Sequence, residues 1–250
     1  MNKNHMKIAT VILIVGAVAY SVYVFLQERG RARMEQRWSG QRFAARDYYP
    51  LTPGNKWTYR ISGDDEQSRL DVEITQRVQW QGRDAVRVTF NDAASKILGF
   101  AESGLVKYQE IDDGEQEVYD PPGSILPDLT FGESRVFHPK YVMQTADAEV
   151  ATRAAAEMSF WLDTIESVKV PAGTFRDVLK VGYYDRWEEE DGSFDISRGY
   201  IWFARGVGIV KIKGSATEVD PESGRRETEK EMHVLVSYHI AGDAREGRSE

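Results

Sequence analysis

Residues 68–80 read SRLDVEITQRVQW, and this stretch decides the fold class. Apolar side chains occupy even-numbered positions, at Leu70, Val72, Ile74, Val78 and Trp80, whereas the odd-numbered positions are polar or charged. Because successive side chains of a β-strand point to opposite faces, a period of two is typical of a half-buried strand. The stretch therefore predicts a long strand with one apolar face and one face in water.

The residues that follow extend this strand into a hairpin. Gln81-Gly82 is a turn-prone pair, and apolar side chains resume at alternate positions with Val86, Val88 and Phe90. Two alternating segments separated by a two-residue turn are typical of antiparallel pairing. The sequence therefore predicts a β-hairpin over residues 69–90.

Short apolar or alternating segments recur along most of the chain, separated by turn-prone runs such as IDDGEQ and DPPGS. Parallel pairing would need crossovers of about a dozen residues, so tight turns favour antiparallel neighbours. The predicted fold class is all-β, a curled, mostly antiparallel, half-barrel-like sheet preceded by one N-terminal transmembrane helix. The further predicted strands are Lys56–Ser62, Gly104–Ile111, Glu117–Tyr119, Arg135–His138, Glu157–Val170, Thr174–Trp187, Tyr200–Ala204 and Gly208–Gly214.

The end of the chain repeats the alternating pattern. Residues 231–240 read EMHVLVSYHI, and we expect their apolar face to hold Met232, Val234, Val236, Tyr238 and Ile240. Within the body, only residues 145–156 are predicted to be helical. The sequence shows no internal repeat and no second linker, so we predict a single β domain.

Two segments of the body are typical of strands that end in a turn or a bend. In VKVPAGTFRDVLKV, residues 168–181, Pro171 fixes a backbone dihedral and Gly173 tolerates a turn, which predicts a second hairpin. In GYIWFARGVGIVKIK, residues 199–213, consecutive apolar residues predict a central strand, and Gly206 and Gly208 permit a bulge or bend after it.

Residues 8–26, IATVILIVGAVAYSVYVFL, are 19 residues without a charge. At about 1.5 Å per residue this length nearly spans a bilayer core of about 30 Å, so we predict a transmembrane anchor. A cleaved signal peptide is the alternative, because Ala17-Val18-Ala19 has the small-x-small form of a cleavage site. The apolar run continues well past that motif, which favours an uncleaved anchor in the inner membrane.

The predicted organisation is a membrane anchor over residues 1–27, a basic tether over 28–47, the β domain over 48–241 and a disordered tail over 242–250. The basic residues on the two sides of the anchor favour a different orientation from the one that we predict. Lys3 and Lys7 precede it and four arginines follow it before Trp38, so positive charge alone places the large domain in the cytoplasm. The extracytoplasmic placement that we predict depends on the resemblance described below.

Charge excludes one class of partner. Before Asp47 there are eight basic and two acidic residues, whereas the rest holds 24 basic and 38 acidic ones. Nucleic-acid binding depends on lysine and arginine neutralising phosphates, so we expect no nucleic-acid partner. The chain has no cysteine, which removes disulfides, thiolate nucleophiles and a lipid-modified cysteine.

Three motifs in the body carry a resemblance. Residues 49–59, YPLTPGNKWTY, then VPAGTF at 170–175 and YIWFARGVGIVK at 200–211, are similar to a group of bacterial exported β-domains, many of them lipoproteins. The similarity covers most of residues 48–240. It implies an extracytoplasmic domain of curled antiparallel sheet, distantly similar to the half-barrels of periplasmic lipoprotein carriers. The chain departs from the pattern because it lacks the lipobox cysteine.

Catalytic and metal-binding signals are weak. The sequence has no G-x-S-x-G, H-E-x-x-H or phosphate-loop motif, so we predict no catalytic, cofactor-binding or metal-ligating residue and no cofactor. His233 and His239 are about 20 Å apart along a strand and read as surface residues. His138 reads as a solvated strand end. The acidic run 188–195 lacks the alternating calcium-loop pattern and reads as a hairpin tip.

Aromatic residues are the remaining functional clue. Large aromatic residues supply buried area, and a curled sheet without a helical cover would leave an apolar trough on its concave face. The first hypothesis is a membrane-anchored, extracytoplasmic, noncatalytic β domain that binds an apolar ligand, such as a lipid, or a protein partner. The alternatives are a membrane-bound hydrolase with paired buried carboxylates, and a cytoplasm-facing assembly subunit. The aromatic candidates are Trp57, Tyr59, Trp80, Phe160, Trp161, Tyr183, Tyr184, Trp187, Tyr200, Trp202 and Phe203.

Overall fold

A computed structural model describes residues 36–63, 67–144, 150–188, 192–219, 223–242 and 246–248. Residues 36–38 are helical and belong to a separate N-terminal unit that ends at Gly40. A second compact unit begins at Gln41 and contains all the described strands. No helix among the described residues is long and apolar enough to span a bilayer, and the predicted anchor at 8–26 lies outside them.

The second unit is built from β-strands and one short helix, α1 (Ala45–Tyr48). The strands are, in chain order, β1 (Arg42–Phe43), β2 (Lys56–Ser62), β3 (Gln67–Trp80), β4 (Arg83–Phe90), β5 (Ala94–Ala101), β6 (Gly104–Asp112), β7 (Glu115–Pro127), β8 (Leu129–Thr130), β9 (Ser134–Phe137), β10 (Lys140–Gln144), β11 (Val150–Val170), β12 (Gly173–Glu188), β13 (Phe194–Ala204), β14 (Gly208–Val219), β15 (Arg226–His239) and β16 (Glu246–Arg248). The predicted all-β fold class is confirmed.

One large antiparallel sheet dominates the unit. Strands β2 to β7 pair in sequence order, and β15 pairs with β2 and leads back through β14, β13 and β12 to β11. Strand β10 pairs with both β7 and β11, so it bridges the two ends of the curled sheet. Most neighbours in the sheet are neighbours in sequence, because tight hairpins connect them. The predicted curled, half-barrel-like sheet is confirmed.

Both predicted hairpins are present. Strands β3 and β4 pair through Trp80 and Arg83, and β11 and β12 pair through Val170 and Gly173. Gly173 has a φ of 139°, which explains the glycine of the VPAGTF motif. The segment 200–204 lies in β13 between β12 and β14, as expected for a central strand.

Three expectations differ from the structure. The helix predicted over residues 145–156 is wrong where it is described, because β11 begins at Val150 and pairs with β10. Helix propensity is a weak preference, and strand pairing overrides it here. The second unit begins at Gln41, so the last residues of the predicted tether pack into it, with Phe43 and Ala45 buried. Part of the predicted disordered tail, Glu246–Arg248, pairs with β15.

The apolar face of residues 68–80 changes sides within β3. The register shifts between Ile74 and Gln76, which marks a β-bulge. A bulge inserts one extra residue, so alternation continues on the opposite face. Before it, Ile74 packs in the core, whereas Val78 and Trp80 pack with Ala85 and Tyr108 in a separate cluster. The single apolar face is therefore confirmed for Leu70 to Ile74 and wrong for Val78 and Trp80.

The motif over residues 49–59 ties separate parts of the sheet together. Asn55 is fully buried, its side-chain amide donates to Pro50 O at 2.9 Å, and its oxygen accepts from Ala241 N at 2.8 Å. Trp57 donates from Nε1 to Val207 O at 2.7 Å, and Tyr59 donates from its hydroxyl to Ile209 O at 3.0 Å. These contacts join the start of β2 to the β13–β14 turn and the end of β15.

Candidate functional site

A cavity of about 760 Å³ lies within the curled sheet. Strands β2 to β7 and β10 to β15 all contribute side chains to its lining. Pockets of about 300–1,000 Å³ are the usual size for small-molecule sites. The curl of the sheet thus builds an internal space large enough for a small ligand.

The lining has an apolar part that comes mainly from β2 to β5 and β14. Tyr59 and Val72 are buried, and Leu98 is 2% exposed. These side chains belong to the inward alternating positions of their strands, as the cross-strand pairs Trp57–Val72 and Tyr59–Leu70 require. The apolar lining consists chiefly of Tyr49, Tyr59, Leu70, Val72, Phe90, Leu98, Ile125, Met158, Ile209 and Ile212.

Two lysines and one glutamate form an ion cluster in the lining. Lys96 Nζ lies 2.7 Å from Glu110 Oε1, and Lys107 Nζ contacts the other carboxylate oxygen. Burial disfavours the ionised carboxyl, but the charges of Lys96 and Lys107 outweigh it and lower the pKa of Glu110. Burial and the charge of Lys96 lower the pKa of Lys107. The two lysines therefore already neutralise Glu110.

Three aromatic rings pack beside this cluster. The ring centroids of Tyr119 and Tyr141 are 5.6 Å apart. The ring centroid of Trp187 lies 5.9 Å from that of Tyr119 and 5.1 Å from that of Tyr141. Lys107 Nζ lies 4.2 Å from the centre of the Tyr119 ring, and the Tyr119 hydroxyl donates to Glu117. Burial, followed by the bond to Glu117, raises the pKa of Tyr119. These three aromatic side chains therefore form one packed cluster in the lining of the cavity.

Asp185 is an acid of the cavity lining whose ionisation is disfavoured by burial. Burial raises its pKa to about 6, against opposing hydrogen bonds from Trp187 and Ser197. One carboxylate oxygen, Oδ1, is buried and has no hydrogen-bond partner among the described residues. The hydroxyl of Ser124, which is 5% exposed and also lines the cavity, is unpartnered in the same sense. Two buried polar atoms of lining residues thus have no hydrogen-bond partner among the residues that the structure describes.

The raised pKa of Asp185 predicts that stability falls as pH rises. The folded state binds a proton more tightly than the unfolded state, so this contribution is lost as pH rises through about 6. We expect the free energy of unfolding to drop by about 1–2 kcal/mol between pH 5 and 8. Urea unfolding of wild type and Asp185→Asn across this range measures it.

The matched variant should lose most of this slope. Glu110 and Glu231 have lowered pKa values, so the stability that depends on them is lost below pH 5, outside the measured window. A slope in Asp185→Asn equal to that of wild type would contradict the assignment of the effect to Asp185.

The sequence-predicted residues have several different locations. Tyr59 and Trp187 line the cavity, whereas Trp57 and Phe203 are buried in the core. His138 and His239 are exposed, as expected. The surface assignment of His233 is wrong, because its side chain is only 13% exposed, lines the cavity and contacts Glu231 at 2.8 Å. His233 lies on the same face of β15 as Leu235, which is fully buried, whereas Met232 lies on the other face and is exposed.

Several predicted aromatic residues lie on the other face of the sheet. Trp161, Gly182 and Tyr200 are paired across β11, β12 and β13, so they share a face opposite to that of Asp185. Lys180 Nζ lies 3.9 Å from the centre of the Tyr200 ring and covers it. These aromatic residues therefore do not form the concave trough that the sequence suggested.

Sequence reasoning missed Lys107, Tyr119, Tyr141 and Asp185. A signal for Asp185 exists, because it continues the inward phase of Leu179 and Val181, which are almost fully buried. An acid at an inward position of a strand is unusual and points to a polar interior. No group of three or more potential metal-ligating side chains occurs among the described residues, and the acidic positions 189–191 lie outside them.

Comparison with known proteins gives two distant structural neighbours. The sequence matches no protein-family profile and no curated protein. A candidate lipoprotein from Parabacteroides distasonis has 15% identity and a TM-score of 0.39, covering 75% of this chain and 95% of its own. A candidate exported protein with a YmcC-like fold from Bacteroides fragilis has 16% identity and a TM-score of 0.41, covering 77% of this chain and 99% of its own.

Proposed function

We propose that this chain is a membrane-anchored, extracytoplasmic, noncatalytic β domain that binds an apolar ligand inside its curled sheet. The observation that carries the proposal is the cavity of about 760 Å³, whose lining combines an apolar part with a charged part. An apolar chain gains roughly 25 cal/mol per Å² of surface removed from water, and the aliphatic and aromatic lining supplies that environment.

The membrane anchor and the placement rest on the sequence. The uncharged segment 8–26 has the length of a bilayer-spanning helix. The resemblance of the YPLTPGNKWTY, VPAGTF and GVGIVK motifs to exported β-domains supports an extracytoplasmic location. A ligand-binding β domain held beside a bilayer would have direct access to lipids.

The hydrolase alternative needs two acids that face each other, and the cavity offers one buried acid with a raised pKa. Asp185 is a buried cavity acid with a raised pKa, but burial causes the shift and no other carboxylate contributes to it among the described residues. A hydrolase that uses two acids needs them to face each other across the substrate. The structure therefore favours binding over acid catalysis by a carboxylate pair.

Photo-crosslinking in intact cells tests the binding proposal. A photoreactive amino acid replaces Leu98, which lines the cavity, and in a control variant it replaces the exposed Arg77. We expect mass spectrometry to find alkyl-chain adducts at position 98 and not at position 77. Equal labelling at both positions, or only water-quenched product at 98, would remove the binding proposal.

A reporter fused to the C-terminus tests the placement separately. We expect alkaline phosphatase, which is active only outside the cytoplasm, to be active in the fusion. A fusion active only with a cytoplasmic reporter would instead support the assembly-subunit alternative.

A further inference from the structure

Strands β13 to β15 separate their charges between the two faces of the sheet. Directly paired residues share a face, and alternate residues of a strand return to it. The register therefore puts every lysine and arginine of these strands on one face and every aspartate and glutamate on the other. Ile212 and His233, which line the cavity, lie on the acidic side. The opposite side, the outer basic face, carries Arg198, Lys211, Lys213, Arg226 and Lys230, whereas the acidic side carries Asp195, Glu218, Glu227, Glu229 and Glu231.

The charges of the outer basic face are not neutralised within the described part of the chain. All of its basic residues except Lys211 are exposed, and none of them forms an ion pair with a described acid. On the neighbouring strand β11, Asp163 binds Lys180 at 2.7 Å, and Glu166 accepts a hydrogen bond from Trp202 at 2.6 Å. The acids of β13 to β15 themselves point to the other side of the sheet. An otherwise acidic domain thus presents one face with unpaired positive charge.

Aromatic and apolar side chains lie between these cations. Met232 pairs with Lys213 and is 36% exposed, which is unusual for a large hydrophobic side chain in this sheet. Tyr200 pairs with Lys213 from the other side, and Lys211 Nζ lies 4.7 Å from the centre of the Trp202 ring. Lysine and arginine beside tryptophan and tyrosine are typical of the boundary between a bilayer and water. The composition of the face therefore matches an interfacial surface.

The cations are spread over the face, not gathered around one point. Alternate residues of a strand are about 6.6 Å apart, and neighbouring strands are about 4.8 Å apart. Lys211, Lys213 and Lys230 therefore start from separate points of the sheet. Such an array is complementary to a surface that carries many negative charges side by side. A leaflet that contains anionic lipid is such a surface, and basic residues close to it are attracted to it.

We infer that the outer basic face docks on the anionic lipid head groups of the bilayer that holds the anchor. This inference rests on the proposed membrane anchor and adds the surface through which the β domain contacts the lipid. Attraction of the basic side and repulsion of the acidic side favour the same orientation of β13 to β15. The chain as a whole has a net charge of −8, so the contact depends on this local separation of charge and not on the composition.

A nitroxide label on each face tests the inference in the full chain. The chain has no cysteine, so Ser215→Cys places one label beside Arg198 and Lys230, and Ala216→Cys places the control label on the acidic side. Each protein is inserted into nanodiscs of zwitterionic lipid and into nanodiscs with about 30% anionic lipid. We expect anionic lipid to lower the access of a neutral, water-soluble nickel chelate to position 215 by at least about threefold, and to leave position 216 unchanged. Raising the ionic strength from about 0.1 to 1 M should abolish the difference, because the screening length falls from about 10 to 3 Å.

Charge variants identify the residues responsible. With the label at 215, Lys213→Gln/Lys230→Gln should lose the protection, whereas the control Arg77→Gln/Arg135→Gln, which removes two exposed arginines elsewhere, should keep it. If the chain is retained in neither kind of nanodisc, the proposed anchor fails and the inference fails with it. If the chain is retained but position 215 is equally accessible in both, the anchor stands and the docking inference is overturned. Protection of position 215 by added dextran sulfate but not by anionic lipid would assign the face to a soluble polyanion and would also overturn it.

Discussion

Replacing Trp57 with alanine is expected to lower the free energy of unfolding by about 4 kcal/mol, as is usual for deletion of a large buried aromatic side chain. Trp57 is 2% exposed and its ring centroid lies 5.7 Å from that of Tyr49. Its indole also lies next to Gly208, where a β-carbon would be 3.5 Å from Nε1. Alanine would therefore leave a cavity where β2 meets the β13–β14 turn.

The hydrogen bond accounts for a smaller share of this loss. Nε1 donates to Val207 O at 2.7 Å, and removal of the donor leaves a buried carbonyl without that partner. Trp57→Phe keeps most of the packing and loses this bond, so we expect it to cost about 1–2 kcal/mol. Urea unfolding followed by circular dichroism measures both variants. A loss below about 1 kcal/mol in Trp57→Ala would show that this junction does not hold the sheet together.

The contacts at this junction also show which parts of the fold could be predicted from the sequence and which could not. Alternation in residues 68–80 and the turn chemistry of Gln81-Gly82 and Pro171–Gly173 are local, so both hairpins could be predicted. The role of Asn55 could not, because its partner Ala241 lies 186 residues away along the chain. Residues of this kind are fixed only when the sheet curls and brings its ends together.

Bulges and interruptions of the alternating pattern are the second reason why the sequence did not predict every strand and face. The bulge after Ile74 moves Val78 and Trp80 to the other face of the sheet, and no residue in the sequence indicates this bulge. Strand β5 was missed because its consecutive residues Ile97 and Leu98 are both buried on opposite faces, which hides the period of two. Strand β6 has further register shifts close to Lys107 in its pairing with β5 and with β7, so the place of Lys107 in the cavity lining could not be identified from the sequence.

Gly104→Ala is expected to be as destabilising as the loss of Trp57, by about 4 kcal/mol, although it adds only one methyl group. Gly104 begins β6 with a φ of 130°, a conformation that residues with a side chain rarely adopt. A β-carbon there would lie 2.4 Å from Leu126 O and 2.7 Å from the Cα of Pro127. Both atoms belong to the backbone of β7, so no rotation of a side chain can relieve the overlap.

Gly114→Ala separates the two causes of this loss. Gly114 lies in the β6–β7 turn with a φ of 82°, but a β-carbon there meets no atom within 4 Å. It should therefore cost only the backbone penalty of a left-handed conformation, about 1–2 kcal/mol. The difference between the two variants in chemical unfolding isolates the close approach of β6 to β7. Equal losses would mean that the strands separate at Gly104 without cost, and that the cavity wall they form is less tightly packed than its pairing implies.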